Sequence, residues 1–247
     1  MTSRTLSPIA RSQTLHVPTI ATHSALAERV FVQLRSDILH ARLRPGQALS
    51  ENQLAQDLNV SRTPVREAVQ RLAREGLVQV LPQRGSYVAF LSIQRIRDSL
   101  FVREAVESEI IRQILAAPID LAGLDALEAS ISRQAAAVAA KELETTMRAD
   151  EDFHRNLLLI GGFGGIWPIV AQARDLHQRT RAIAVPELQA GEQAVADHEA
   201  ILAALRARNP VLAVQAMVAH LRRNETLTLQ VAAMHKDYFD DHADYNH

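Results

Sequence analysis

Strand-forming sequence in this chain is confined to residues 77–90. Two β-rich runs, residues 77–81 and 87–90, are joined by Pro82-Gln83-Arg84-Gly85-Ser86, whose composition suits a hairpin loop. From Ile93 onward no segment has strand character. This distribution predicts a mainly α chain with one small β-hairpin. The length of 247 residues suits two domains better than one.

The residues before the hairpin explain what it accompanies. Leu26, Val30, Leu34 and Ile38 recur every four residues, with Ala27 and Phe31 beside them, so a helix begins near Ser24. Arg44-Pro45-Gly46 stops it. Ser50-Glu51-Asn52-Gln53 has capping-box spacing, and a short helix follows with Leu54, Ala55 and Leu58 inward. Asn59-Val60-Ser61 is a tight turn. Pro64 suits the first turn of a third helix capped by Thr63 or Ser61, with Val65, Val69 and Leu72 inward and Gly76 at its end. Helix, helix, turn, helix and hairpin over residues 24–92 form the layout of a winged helix-turn-helix. The remainder predicts helices at 93–116, 121–140, 142–160, 163–184, 187–208 and 211–234, an all-helical antiparallel bundle within 93–236. Breaks are expected at Pro118, Gly161-Gly162, Pro186 and Asn209-Pro210. Residues 1–23 read as a flexible basic tail and 237–247 as a polar, frayed one.

Composition removes several classes. Cysteine is absent, which excludes disulfides, thiolate metal sites and a cysteine nucleophile. No apolar run reaches about 18 residues, so no membrane span is expected. The N-terminal residues lack the apolar core of a secretory signal, and a cytoplasmic protein is expected. The net charge of −1 hides an asymmetry: residues 1–92 hold 11 Arg and Lys against 6 Asp and Glu, residues 93–247 hold 16 against 22. A basic N-terminal part favours a polyanionic partner.

Residues 60–68 carry the clearest functional signal. The N-terminal end of a recognition helix reaches base edges in the major groove. Arg62 and Arg66, four apart, share a face that Gln70 continues, and arginine there can fork guanine or grip phosphate. Arg84 stands at the wing tip. The plain alternative is solvated arginines paired with Glu67 and Glu75. The turn, the wing and the basic balance together favour double-stranded DNA.

SENQLAQDLNVSRTPVREAVQRLAREGLV, followed by PQRGSYVAFLS, closely resembles the winged-helix domain of GntR-type transcription regulators. The helical remainder resembles the FCD ligand-sensing domain of their FadR-like subgroup, and the resemblance covers roughly residues 24–234. It implies DNA contacts from Arg62, Arg66 and the Arg84-Gly85 tip. The candidate DNA-contacting set is Asn52, Arg62, Thr63, Arg66, Gln70, Arg84 and Gly85. Asn52 departs from the family pattern, where many members have arginine at that position.

The bundle carries a second candidate site. Asp150 and His154, four apart, project from one helix face. His198 lies 11 residues before Asn209 and His220 lies 11 after it. In an antiparallel hairpin those two stand at one height, about 16 Å from the turn. Asp150, His154, His198 and His220 are therefore candidate ligands for Zn²⁺, Ni²⁺ or Mn²⁺. The resemblance implies the same set, since many FCD domains hold a metal with one Asp and three His. His177 and His235 lack this spacing and are not assigned.

Arg103 and Glu107 fall on the apolar stripe of the first bundle helix. They are either an i, i+4 salt bridge at the stripe's edge or, for Arg103, a grip on a carboxylate ligand. The resemblance implies the second. GGFGGIWP replaces the family's usual Asn-Pro after the histidine helix, which puts a ligand contact from that loop in doubt. The expected function is a ligand-responsive repressor, a homodimer on a short palindromic operator, governed by a small carboxylate near a metal. The opposing expectations are a metal-dependent hydrolase with an accessory DNA-binding domain, and a sensor of the metal itself.

Overall fold

The computed structural model of the chain describes residues 23–118 and 121–240. Residues 1–22 of the expected N-terminal tail and residues 241–247 lie outside them. Helix α1 (His23–Leu39) precedes strand β1 (Ala48–Leu49), helices α2 (Glu51–Asp57) and α3 (Arg62–Arg74), and strands β2 (Val78–Leu81) and β3 (Gly85–Val88). Their common core contains Leu34, Ile38, Val65, Val69, Leu72 and Val88. The inward positions of α3 are those its periodicity predicts.

The wing is larger than a hairpin. Strand β3 pairs antiparallel with β2 and also with β1, giving the order β1-β3-β2. Two residues are too few for a periodic signal, so β1 is not legible in the sequence. Gly46, at φ +76°, closes the approach to β1 against the Phe90 ring, where a Cβ would come within 2.7 Å.

Helices α4 (Ile93–Ala116), α5 (Leu121–Ala139), α6 (Leu143–Ile160), α7 (Trp167–Leu188), α8 (Ala190–Arg206) and α9 (Pro210–Met234) form the bundle. Helix α5 packs on α6, and α9 on both α4 and α8. Asn209 caps α9 by accepting from the Leu212 N–H at 3.0 Å, and Pro210 opens the helix. The structure corrects the expected break at Pro186. Helix α7 runs through that proline, and Gln189, at φ 52°, makes the reversal. Ile183 and Ala184 pack with Val231, and Leu188 joins them, so burial on both sides of Pro186 offsets its missing hydrogen bond.

A second correction concerns the C-terminal tail. Residues Lys236–Tyr238 form a 3₁₀ turn, and the chain then runs parallel beside Leu91. The Leu91 N–H donates to the Tyr238 carbonyl at 2.8 Å, and the Asp240 N–H donates to the Leu91 carbonyl at 3.1 Å. The two helical units also meet at Arg35, which pairs with Glu75 of its own unit and with Asp175 on α7.

Candidate functional site

The candidate DNA-contacting residues form an open surface. Asn52, Arg62, Thr63, Arg66, Gln70, Arg84 and Gly85 are all exposed. Asn59, at φ 51°, turns the chain between α2 and α3, and Ser61 is the N-cap of α3. Arg62 and Arg66 lie 3.7 and 3.5 Å from Glu51 of α2. Glu75 instead pairs with Arg35 and Arg71. At the wing tip the Tyr87 hydroxyl donates to the Arg84 carbonyl at 2.8 Å. Gly85, at φ 103°, takes a conformation that other residues rarely adopt.

The second site is in the middle of the bundle. Helix α6 supplies Asp150 and His154, α8 supplies His198 and α9 supplies His220. All four are buried, and one ligand atom from each lies within 4.8 Å of the others. The Nε2 atoms converge: His220 stands 3.3 Å from both His198 and His154. Asp150 lies 4.0 Å from His154 and 3.7 Å from His198.

Each imidazole is held from behind. His198 Nδ1 meets Gln134 Oε1 at 2.8 Å, His220 Nδ1 meets Asp197 at 3.3 Å, and His154 Nδ1 meets Glu107 at 2.5 Å. An acceptor on Nδ1 keeps the proton there and leaves the Nε2 lone pair for a cation. Burial lowers His154 to about 3 and holds His198 well below the usual imidazole range. These rings are therefore neutral, as ligands must be. Burial opposes the charge on Asp150, but Arg181 and Arg174 hold it well below the usual carboxylate range. Three imidazole nitrogens and one carboxylate, without thiolate, fit a divalent transition metal.

Arg103 faces this centre, fully buried, and burial lowers it to about 10. Its Nε donates to Glu107 at 2.7 Å and its Nη1 to His177 Nε2 at 2.8 Å. Its Nη2 lies 3.2 Å from both ring nitrogens of His154. The Arg103–Glu107 salt bridge of the plain alternative is present, but it is buried inside the bundle rather than at the stripe's edge. Trp167, from the departing loop, packs against the bundle core.

Sequence reasoning missed several neighbours. Arg174 and Arg181 both bind Asp150, and His177 receives Arg103. Their spacing along α7 places all three on one face, a signal that was available. Gln134 and Asp197 left none, because each acts across helices.

The family model described as "Bacterial regulatory proteins, gntR family" matches residues 26–88, and the one described as "FCD domain" matches residues 98–223. An uncharacterized HTH-type transcriptional regulator of Streptomyces ambofaciens is 39% identical over 193 residues, 78% of this chain and 80% of its own. The HTH-type transcriptional repressor RspR of Escherichia coli (strain K12) is 31% identical over 214 residues, 87% and 93%. A GntR structure from Rhodococcus sp. RHA1 matches with TM-score 0.71 and 24% identity, covering 83% of this chain and 97% of that one. Structures at that identity bear on the fold alone. FCD domains bind metal as a family, in keeping with the buried His and Asp cluster. The matched families and relatives are transcriptional regulators rather than enzymes, which disfavours the hydrolase reading. No helix among the described residues is long and apolar enough to cross a membrane. This chain is a DNA-binding transcriptional regulator and belongs to the GntR family, in the subgroup that carries an FCD domain.

Proposed function

We propose that the chain is a repressor whose operator binding is governed by a small carboxylate held beside a divalent metal. Residues 24–92 act as the DNA-binding unit and residues 93–236 as the sensing unit, in the cytoplasm. The observation that carries this reading is the buried convergence of three Nε2 atoms and the Asp150 carboxylate, with Arg103 beside them. When bound, the metal supplies a Lewis-acidic centre with positions for ligand oxygens. Asp150, His154, His198 and His220 hold it, whether Zn²⁺, Ni²⁺ or Mn²⁺. Arg103 attracts the acid and orients its carboxylate.

Two copies bind one palindrome, because a single winged helix offers few base contacts. Phe101 on α4 and Ile169 on α7, 75% and 61% exposed, are apolar surface that pairing can cover. The relative RspR, named a repressor, supports repression.

Fluorescence anisotropy with operator DNA tests the reading. Affinity should change when a carboxylate is added to the metal-loaded protein. Affinity that follows metal alone would make this a metal sensor. Full-strength binding of a monomer to one half-site would overturn the dimer.

A further inference from the structure

Arg179 on α7 is a buried cation, 4% exposed. Its Nη2 donates to the Ala89 carbonyl, just beyond β3. Its Nε is buried and has no hydrogen-bond partner. Among the described residues no carboxylate pairs with it. Burial lowers it to about 10, and the one charge that acts on it, the guanidinium of Arg95, lowers it further. It therefore stays charged at neutral pH with a single neutral carbonyl for company, which does not offset a buried charge.

This arginine faces away from the metal centre. His177 and Arg181, which meet Arg103 and Asp150, are each two residues from it, about 200° around the helix. On its own side lies a cavity of about 380 Å³ between the two helical units, walled on the DNA-binding side by Gly76, Leu77 and Ala89. Arg95, in the first turn of α4, also lines it. The Arg95 Nη2 stands 3.0 Å from where a Cβ on Gly76 would be. Two carboxylates reach the same cavity, those of Asp175 and Asp240. Asp175 is already matched by Arg35. Asp240 is half-buried beside Leu91, and its charge does not act on Arg179. With Asp175 matched, two guanidiniums face one remaining carboxylate, and the more deeply buried of the two has no counter-charge. A desolvated guanidinium in that position calls for an anion.

We propose that this cleft binds a small oxyanion of the sulfate or phosphate type, held between Arg179 of α7 and Arg95 of α4. Four tetrahedral oxygens can accept from guanidiniums that approach from two helices. The anion sits against the turn after α3 and the end of the wing, and so fastens the DNA-binding unit to the sensing unit. The site is separate from the histidine cluster and does not depend on it. The competing reading makes Arg179 only a clasp on the Ala89 carbonyl.

The test is calorimetry of sulfate with the full-length, Zn²⁺-loaded protein, with chloride adjusted to hold ionic strength constant. One saturable sulfate per chain is expected. Arg179→Gln and Arg95→Gln should each weaken it at least tenfold, and Arg179→Lys should recover part of the loss. Binding should be unchanged after zinc is stripped with a chelator. Sulfate binding that disappears with the metal would put the anion at the histidine cluster and overturn the cleft site. Absence of saturable binding, or full binding retained by either Gln variant, would overturn it as well. The clasp alone predicts a lower melting temperature for Arg179→Gln with unchanged sulfate affinity. Arg95 is half-buried, so Arg95→Gln should fold and decides the matter if Arg179→Gln does not.

Discussion

His220 turns its Nδ1 toward Asp197, 3.3 Å away, and so presents Nε2 to His154 and His198. The carboxylate sets both tautomer and ring orientation. Asp197→Asn should weaken Zn²⁺ binding by about 10–100-fold without loss of fold. Competition with a chromogenic chelator reads this directly, and unchanged affinity would remove Asp197 from the support of the site.

Replacing a ligand is more severe. His198→Ala or His220→Ala should abolish stoichiometric zinc and the melting shift it produces. Zinc at 100 times its Kd stabilises the folded protein by about 2.7 kcal/mol, and that increment should vanish in the variants. Elemental analysis and thermal melts with and without Zn²⁺ measure both. Wild-type protein that shows neither bound metal nor a shift would sink the assignment.

Arg103 has two roles to separate. Removing its guanidinium leaves Glu107 buried beside His154 with its main counter-charge gone. Arg103→Ala should therefore destabilise the fold by about 3–5 kcal/mol as well as weaken acid binding. Arg103→Lys keeps the charge but loses the fork, so acid affinity should fall while the fold is largely retained. Denaturant unfolding combined with calorimetry distinguishes the two effects.

On the DNA side, Arg66→Ala should cost about 1–3 kcal/mol of operator affinity and relax specificity at one base position. Glu51, 3.5 Å from Arg66, competes for the same guanidinium, so Glu51→Gln should not weaken binding. Anisotropy against a set of singly substituted operators checks both variants. Loss spread evenly over all sequences would place Arg66 on phosphate instead.

Acid should destabilise the metal-free protein through its buried rings. Burial lowers His154 to about 3, and it holds His177 and His198 well below the ordinary imidazole range. In the unfolded chain such rings take up protons below about pH 6.5. From there down to the native values the unfolded state binds more protons, so stability falls as pH falls. Each ring contributes up to about 1.4 kcal/mol per pH unit in that window. His177→Gln should make the slope between pH 6.5 and 4 shallower, and an unchanged slope in denaturant melts would mean that His177 is charged in the folded protein.

Much of the fold was legible because its signals are local. Val65, Val69 and Leu72 define a helix face, and Ser50 caps α2 at the spacing expected. The equal distances of His198 and His220 from Asn209 were informative because an antiparallel hairpin converts equal chain distance into equal height. Pro186 misled because a proline's cost is local, whereas the packing of Ile183, Ala184 and Leu188 that offsets it is not.

By itself the sequence determined most of the helices, the hairpin of β2 and β3, and four residues able to ligate a metal, since each follows from spacing along one helix or about one turn. Only the tertiary structure decided that Gln134 and Asp197 hold His198 and His220, that residues 238–240 lie beside Leu91, and that Arg174 and Arg181 meet at Asp150. Those relations join residues on different elements. Their distances depend on how side chains interdigitate when the helices pack, which periodicity along a single helix does not contain.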